Sequence, residues 1–332
     1  MPTEHRFAEA IMSSDDSRYG AMLERLVEWA ERQADVRAVV VVGSRASRLR
    51  PADQWSDVDL VLAVRDPQTY LTNAAWLSVL GDPMLTCVAT LEGQTFHAAW
   101  FEGEAKFDFI IVPSGLMRAA TFLMRLVARW PVLRHFLPQG VSRQLATFAD
   151  TIGKGMRILV DKDRWVSRLE RARIERPVRA APEEAQFSNA VSTFWSWALW
   201  TAKILERGEV WRAKRSCDHE MKEMLLQMLD WHARSIAGWE RETWYLGRFL
   251  EEWVDPRAKL ALREVFARYD EDDVWRALVA TCELYSWVAR ETAERSNFTY
   301  PLHHEGWARE RVQAHSSVRA TAKSGRPTSA CS

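Results

Sequence analysis

Four consecutive valines, Val39 to Val42, run into Gly43-Ser44-Arg45. Twelve residues then separate Ser44 from a second apolar segment, DVDLVLAV, at 57–64. A short β-branched run closed by glycine predicts a buried strand over 36–42. The second segment predicts a strand with Val58, Leu60 and Leu62 on one face and Asp57, Asp59 and Val61 on the other. A chain built this way must place two carboxylates side by side on one sheet face, close to where a glycine ends another strand. Carboxylates so placed repel each other unless a cation lies between them. Hard oxygen ligands with no His or Cys nearby favour Mg²⁺ over zinc.

The surrounding pattern supplies the frame. Helical spacing of Met22, Leu23, Leu26, Val27 and Ala30 predicts a helix over 17–34. Asp66-Pro67 predicts the start of another, reaching Leu80 and stopped by Gly81. Three strands follow, at 84–91, 95–101 and 105–112, with Gly93 and Gly103 in the hairpin connections. The first half therefore reads as an α+β layer, a small mixed sheet with helices on one face. Beyond Pro113 the pattern is helical, except for an apolar run at 157–160. Five helices are expected from Pro182 to Arg295, with breaks near Gly208, Gly238, Asp255-Pro256 and Asp270. The expected division is 1–175 for the sheet domain, 176–305 for a helical bundle and 306–332 for a disordered tail of Ser, Ala, Arg and Pro. Pro177 and Pro182 bracket the expected linker. Of 17 tryptophans, 11 lie beyond residue 190. That many suits either packed bundle core or an aromatic-lined pocket.

A third carboxylate, Asp108, stands in Lys106-Phe107-Asp108-Phe109 on another expected strand, with Phe107, Phe109 and Ile111 on the opposite face. A charge on a largely apolar strand needs a partner. Asp57, Asp59 and Asp108 could converge on two metal ions. Backbone N–H groups at a helix starting after Gly43 could hold phosphate oxygens, with the Ser44 hydroxyl adding a bond and Arg45 a charge. Each element has a plainer reading. Gly-Ser pairs occur in ordinary turns, Asp-x-Asp can cap a helix or brace a loop, and Asp108 could pair with an arginine. The combination in this order is far more specific, and it points to nucleotidyl transfer.

These residues resemble the nucleotidyltransferase superfamily and, more narrowly, the aminoglycoside 6-adenylyltransferases, the streptomycin adenylyltransferase family. The resemblance spans about 17–305. It rests on GSRAS at 43–47, WSDVDLVLAV at 55–64, WLSVLGDP at 76–83 and FEGEAKFDFIIVP at 101–113. It continues in FWSWALWTAKILERGEVWRAKRSCDHEMK at 194–222, MLDWHARSIAGW at 228–239 and DDVWRALVATCELYSWVARETAERSNFTYP at 272–301. The resemblance implies a nucleotidyltransferase fold followed by a helical substrate-binding domain. It also implies ATP as co-substrate with Mg²⁺, and attack of an antibiotic hydroxyl on the α-phosphorus. By position it makes Asp57, Asp59 and Asp108 the metal ligands, and Gly43, Ser44 and Arg45 the triphosphate holders. Lys203 would reach the phosphates, or remain a solvated helix lysine. Asp218 would face a cationic acceptor, or form a surface salt bridge. Thr193 stands where the family usually has Glu, and Trp200 where it has Tyr. Both departures fall in the acceptor half of the site.

Composition bounds the alternatives. Hydrophobic residues at 47% and charged residues at 27% exclude a wholly disordered chain. A net charge of zero argues against bulk electrostatic binding to nucleic acid or membranes. The basic stretch after residue 308 is the feature that could favour RNA. No apolar run long enough for a membrane span is present, and 1–16 does not read as a secretory signal. Cys87, Cys217, Cys282 and Cys331 show no metal or redox spacing, so free thiols in a cytoplasmic protein are expected. A monomer is expected as well. The same chemistry with a protein, RNA or metabolite acceptor is the second reading. A nucleotide-binding regulator without turnover is the third, and a complete acidic triad counts against it.

Overall fold

The computed structural model describes residues 17–91, 94–171 and 180–324. The chain divides into two compact units, Met1–Pro177 and Val178–Ser332. The expected Gly93 connection and residues 177–179 of the expected linker lie outside the described residues.

The first unit is a mixed six-stranded sheet of order β3-β4-β5-β2-β1-β6. Its strands are β1 (Val36–Val42), β2 (Val58–Val64), β3 (Leu85–Leu91), β4 (Gln94–Phe101), β5 (Ala105–Pro113) and β6 (Arg157–Asp161). β2 and β5 run parallel, and the other neighbours are antiparallel. The apolar run at 157–160 is thus the core of an edge strand on β1.

Helices cover both faces of this sheet, where the sequence reading placed them on one. The reason is visible in β1 and β2, which bury residues of both parities. Val39, Val41, Leu60 and Leu62 pack with α1 (Ser17–Arg32), α2 (Pro67–Thr72) and the 3₁₀ turn Ala75–Val79. Val40, Val42, Val61 and Ala63 pack with Met117 of α3 (Ser114–Arg129) and Val166 of α5 (Trp165–Arg171). A run of four apolar residues on a strand cannot leave one face in water. The helix expected over 66–80 is broken in the middle. Asn73 is extended, and its side chain accepts from the Ala75 N–H at 2.8 Å, which restarts the chain as the 3₁₀ turn. Between β5 and β6 the chain forms α3 and α4 (Gln139–Lys154).

Among the described residues the regular structure of the second unit is helical. α6 (Glu184–Glu206) begins with a capping box between Glu183 and Gln186. α7 (Val210–Arg215) runs through a π turn, Ser216–Glu220, into α8 (Met221–Ala237), which stops at Gly238 with φ 104°. After α9 (Leu250–Trp253), Asp255 caps α10 (Pro256–Ala261) and Asp270 caps α11 (Glu271–Ser296). The expected breaks fall where the chain turns. The tail expected at 306–332 is helical as far as α12 (Leu302–Ser324), because Glu305, Ala308 and Val312 are buried at helical spacing. The aromatic richness is divided. Trp195, Trp253 and Trp275 are core, and Phe194 stacks on Tyr285 with centroids 3.6 Å apart, whereas Trp200, Trp211 and Trp307 are exposed. Among the described residues no helix is long and apolar enough to cross a membrane.

Candidate active site

The site forms where the end of β1 meets the start of β2 beside β5. Register sets it. Val42 pairs with Asp59 across the antiparallel β1–β2 ladder, and Asp59 pairs with Asp108 across the parallel β2–β5 ladder. Strand alternation turns Asp57, Asp59 and Asp108 to one side, with Phe107 and Phe109 fully buried on the other. One oxygen from each of the three carboxylates lies within 4.8 Å of the other two. The structure therefore brings these three predicted residues together.

Gly43 bounds the cluster. Its backbone, at φ 68° and ψ −149°, lies in a region that side chains other than glycine's avoid. The turn after it differs from expectation: the helix start is a single 3₁₀ turn, Ser44–Ala46. A β-carbon on Gly155, at the end of α4, would stand 1.9 Å from the Ala46 carbonyl oxygen, so the turn rests directly on bare backbone. Ser44 Oγ is buried and makes no hydrogen bond. Arg45 is engaged: its Nε and Nη2 donate to the Ser56 carbonyl at 3.2 and 2.8 Å, and its guanidinium lies 3.9 Å over the Tyr19 ring. Arg45 thereby grips the residue before Asp57.

Lys106 was not singled out from the sequence. Strand alternation places it on the same face as Asp108, two residues on, and that period is the signal that could have found it. Its Nζ donates to Asp108 Oδ2 at 2.6 Å and to Asp57 Oδ2 at 3.1 Å. The pairing of Asp108 considered with an arginine is thus made with a lysine. Burial alone would lower the Lys106 pKa, but its bonds to Asp108 and Asp57 outweigh this and raise it. For Asp108 burial dominates and raises the pKa, against the pull of Lys106. Asp108 Oδ1 is buried and has no hydrogen-bond partner.

The remaining candidates belong to the helical unit. Thr193 and Lys203 lie on α6, the first half-buried and the second exposed. Trp200 packs edge-on to Trp197, centroids 5.1 Å apart, under the Arg212 guanidinium at 4.8 Å. Asp218 sits in the π turn, ion-paired to Lys214 and 3.9 Å from the buried Lys222 ammonium, with Oδ1 buried and unbonded.

Residues 18–315 match the family described as streptomycin adenylyltransferase. An aminoglycoside 6-adenylyltransferase of Bacillus subtilis (strain 168) is 20% identical over 293 residues, covering 86% of this chain and 93% of its own. One of Staphylococcus aureus is 19% identical, covering 84% and 92%. A crystal structure of an aminoglycoside 6-adenyltransferase from Bacillus subtilis aligns over 92% of this chain and 99% of its own, at 16% identity and a TM-score of 0.41.

Proposed function

Because this chain belongs to the streptomycin adenylyltransferase family, we propose that it transfers AMP from ATP to a hydroxyl of a streptomycin-type aminoglycoside and releases pyrophosphate. The observation that carries this reading is the convergence of Asp57, Asp59 and Asp108 within 4.8 Å, next to a glycine turn whose serine hydroxyl is buried and unbonded. The donor set suits Mg²⁺: it is all carboxylate oxygen, and Asp108 Oδ1 is buried without a hydrogen-bond partner. Bound there, Mg²⁺ supplies charge neutralisation for the triphosphate and the departing pyrophosphate, and makes an acceptor hydroxyl more acidic.

The protein's own part is positioning and charge placement, which is what phosphoryl-type transfer demands. Asp57, Asp59 and Asp108 would hold Mg²⁺. Gly43 leaves room at the turn, Ser44 Oγ donates to a phosphate oxygen, and Arg45 keeps the Asp57 segment in register while adding positive charge. Asp108, the carboxylate on β5, would lie near the acceptor hydroxyl and take its proton. Thr193 offers no carboxylate for that task. Acceptor recognition falls to the helical unit, where Asp218 would meet an ammonium group, Trp200 a sugar face and Lys203 the phosphates. Scattered cysteines suit the cytoplasm, where ATP is at hand.

The test is pyrophosphate release from ATP and Mg²⁺ with a panel of aminoglycosides, run beside Asp57→Asn and Asp59→Asn. Release with a streptomycin-type acceptor, reduced about a thousandfold in each variant with the fold retained, is expected. ATP binding without release for any aminoglycoside would move the acceptor elsewhere. Normal turnover by either variant would remove the metal assignment.

A further inference from the structure

Lys106 Nζ bridges Asp57 Oδ2 and Asp108 Oδ2, two of the three carboxylates that any ion at the triad would need. A bridging ammonium is a monovalent stand-in for a divalent ion. Taking the triad as a metal site, as proposed above, we infer that Lys106 is a positioning residue that occupies the ion's place in the nucleotide-free protein. It must vacate that place on loading, so the divalent ion enters together with the triphosphate rather than ahead of it.

Charge and geometry both support this. The ammonium draws Asp57 and Asp108 together and fills the space between two oxygens of the cluster. An ion arriving alone would meet that ammonium at contact distance, where like charges repel strongly in a half-buried setting. A triphosphate changes the balance by bringing its own negative charge, which gives the ammonium a new partner. The lysine is built to move at its tip only. Its backbone N–H donates to Tyr19 Oη at 3.4 Å, and the register fixes it opposite Trp100. The Trp100 ring lies 5.7 Å from Nζ, a weak contact, so the carboxylates are the main hold on the side chain.

The experiment measures Mn²⁺ binding by electron paramagnetic resonance, with and without an ATP analogue carrying an uncleavable α,β-methylene bridge. The proteins are the unmodified chain, Lys106→Met, Lys106→Arg and Asp57→Asn. The unmodified chain should bind Mn²⁺ about tenfold tighter with the analogue than without it. Lys106→Met should bind Mn²⁺ alone about tenfold tighter than the unmodified chain does, with most of the analogue's effect gone. Lys106→Arg should keep the analogue dependence. Unchanged or weaker Mn²⁺ binding by Lys106→Met would overturn the inference while leaving the metal site standing. Unchanged binding by Asp57→Asn would instead overturn the metal site itself. If Lys106→Met loses its cooperative melt, Lys106→Gln is measured in its place under the same criteria.

Discussion

A β-carbon built on Gly43 would stand 2.0 Å from Asp59 Oδ2. The glycine that ends β1 and the carboxylate that opens the β2 side of the triad are therefore in direct packing contact. The glycine serves the protein's own carboxylate before it serves any ligand.

Gly43→Ala must push Asp59 aside and adopt a backbone region closed to alanine. The backbone term alone costs about 1–3 kcal/mol. Turnover should fall by at least about a hundredfold, since Asp59 loses its place. Thermal melts together with pyrophosphate release measure both effects. A variant with unchanged melting and turnover would show that the contact is not maintained in solution.

Arg45 holds the Ser56 carbonyl through two nitrogens while lying on the Tyr19 ring. Lysine cannot reproduce a planar fork that also stacks. Arg45→Lys should lower kcat/KM by about ten- to a hundredfold with the melt nearly unchanged. An equal loss in Arg45→Ala and Arg45→Lys is expected if the fork, rather than the charge, is what matters. Full activity in Arg45→Lys would assign Arg45 to charge alone.

Phe194 and Tyr285 are completely buried and stacked. Truncating either removes packed ring from the core of the helical unit. Phe194→Ala should lower stability by about 3–5 kcal/mol, read from denaturant melts. A change below about 1 kcal/mol would mean that this stack does not anchor the unit.

Glu305 is buried, accepting from Ser286 at 2.6 Å and pairing with Arg290 at 3.0 Å and Arg309 at 2.9 Å. Burial on its own would raise its pKa, but the hydrogen bonds from Arg290 and Ser286 outweigh it and hold the group below the ordinary glutamate value. The sign follows from linkage. A depressed carboxylate stabilises the fold above its unfolded pKa and loses that contribution as pH falls through the folded one. Glu305→Gln should therefore be less stable than the unmodified chain near neutral pH. The gap should narrow as pH drops below about 4.5. Parallel thermal melts across pH give the result, and a gap independent of pH would assign the loss to packing.

Much of this was legible in the residue order. Alternation in 57–64 and 105–112 sets which side chains share a face, so the three aspartates could be named together. Asp255, Asp270 and Gly238 mark helix ends through local capping chemistry, which needs no distant partner. Other features had no local signature. Lys106 could be assigned to the right face, but not to Asp57, because that contact requires β2 and β5 to be neighbours. The Arg45–Tyr19 contact joins the turn after β1 to α1, and the burial of α12 depends on a surface supplied by other helices.

By itself, then, the order of residues determined strand and helix periods, the acidic face and the glycine at its edge, all of which follow from backbone geometry over a few residues. Only the tertiary structure decided that β2 and β5 lie parallel with Asp59 opposite Asp108. It also decided that both sheet faces are covered and that a lysine bridges the carboxylates. Those outcomes depend on strand partners distant in the chain, whose choice reflects the burial of the whole sheet rather than any local preference.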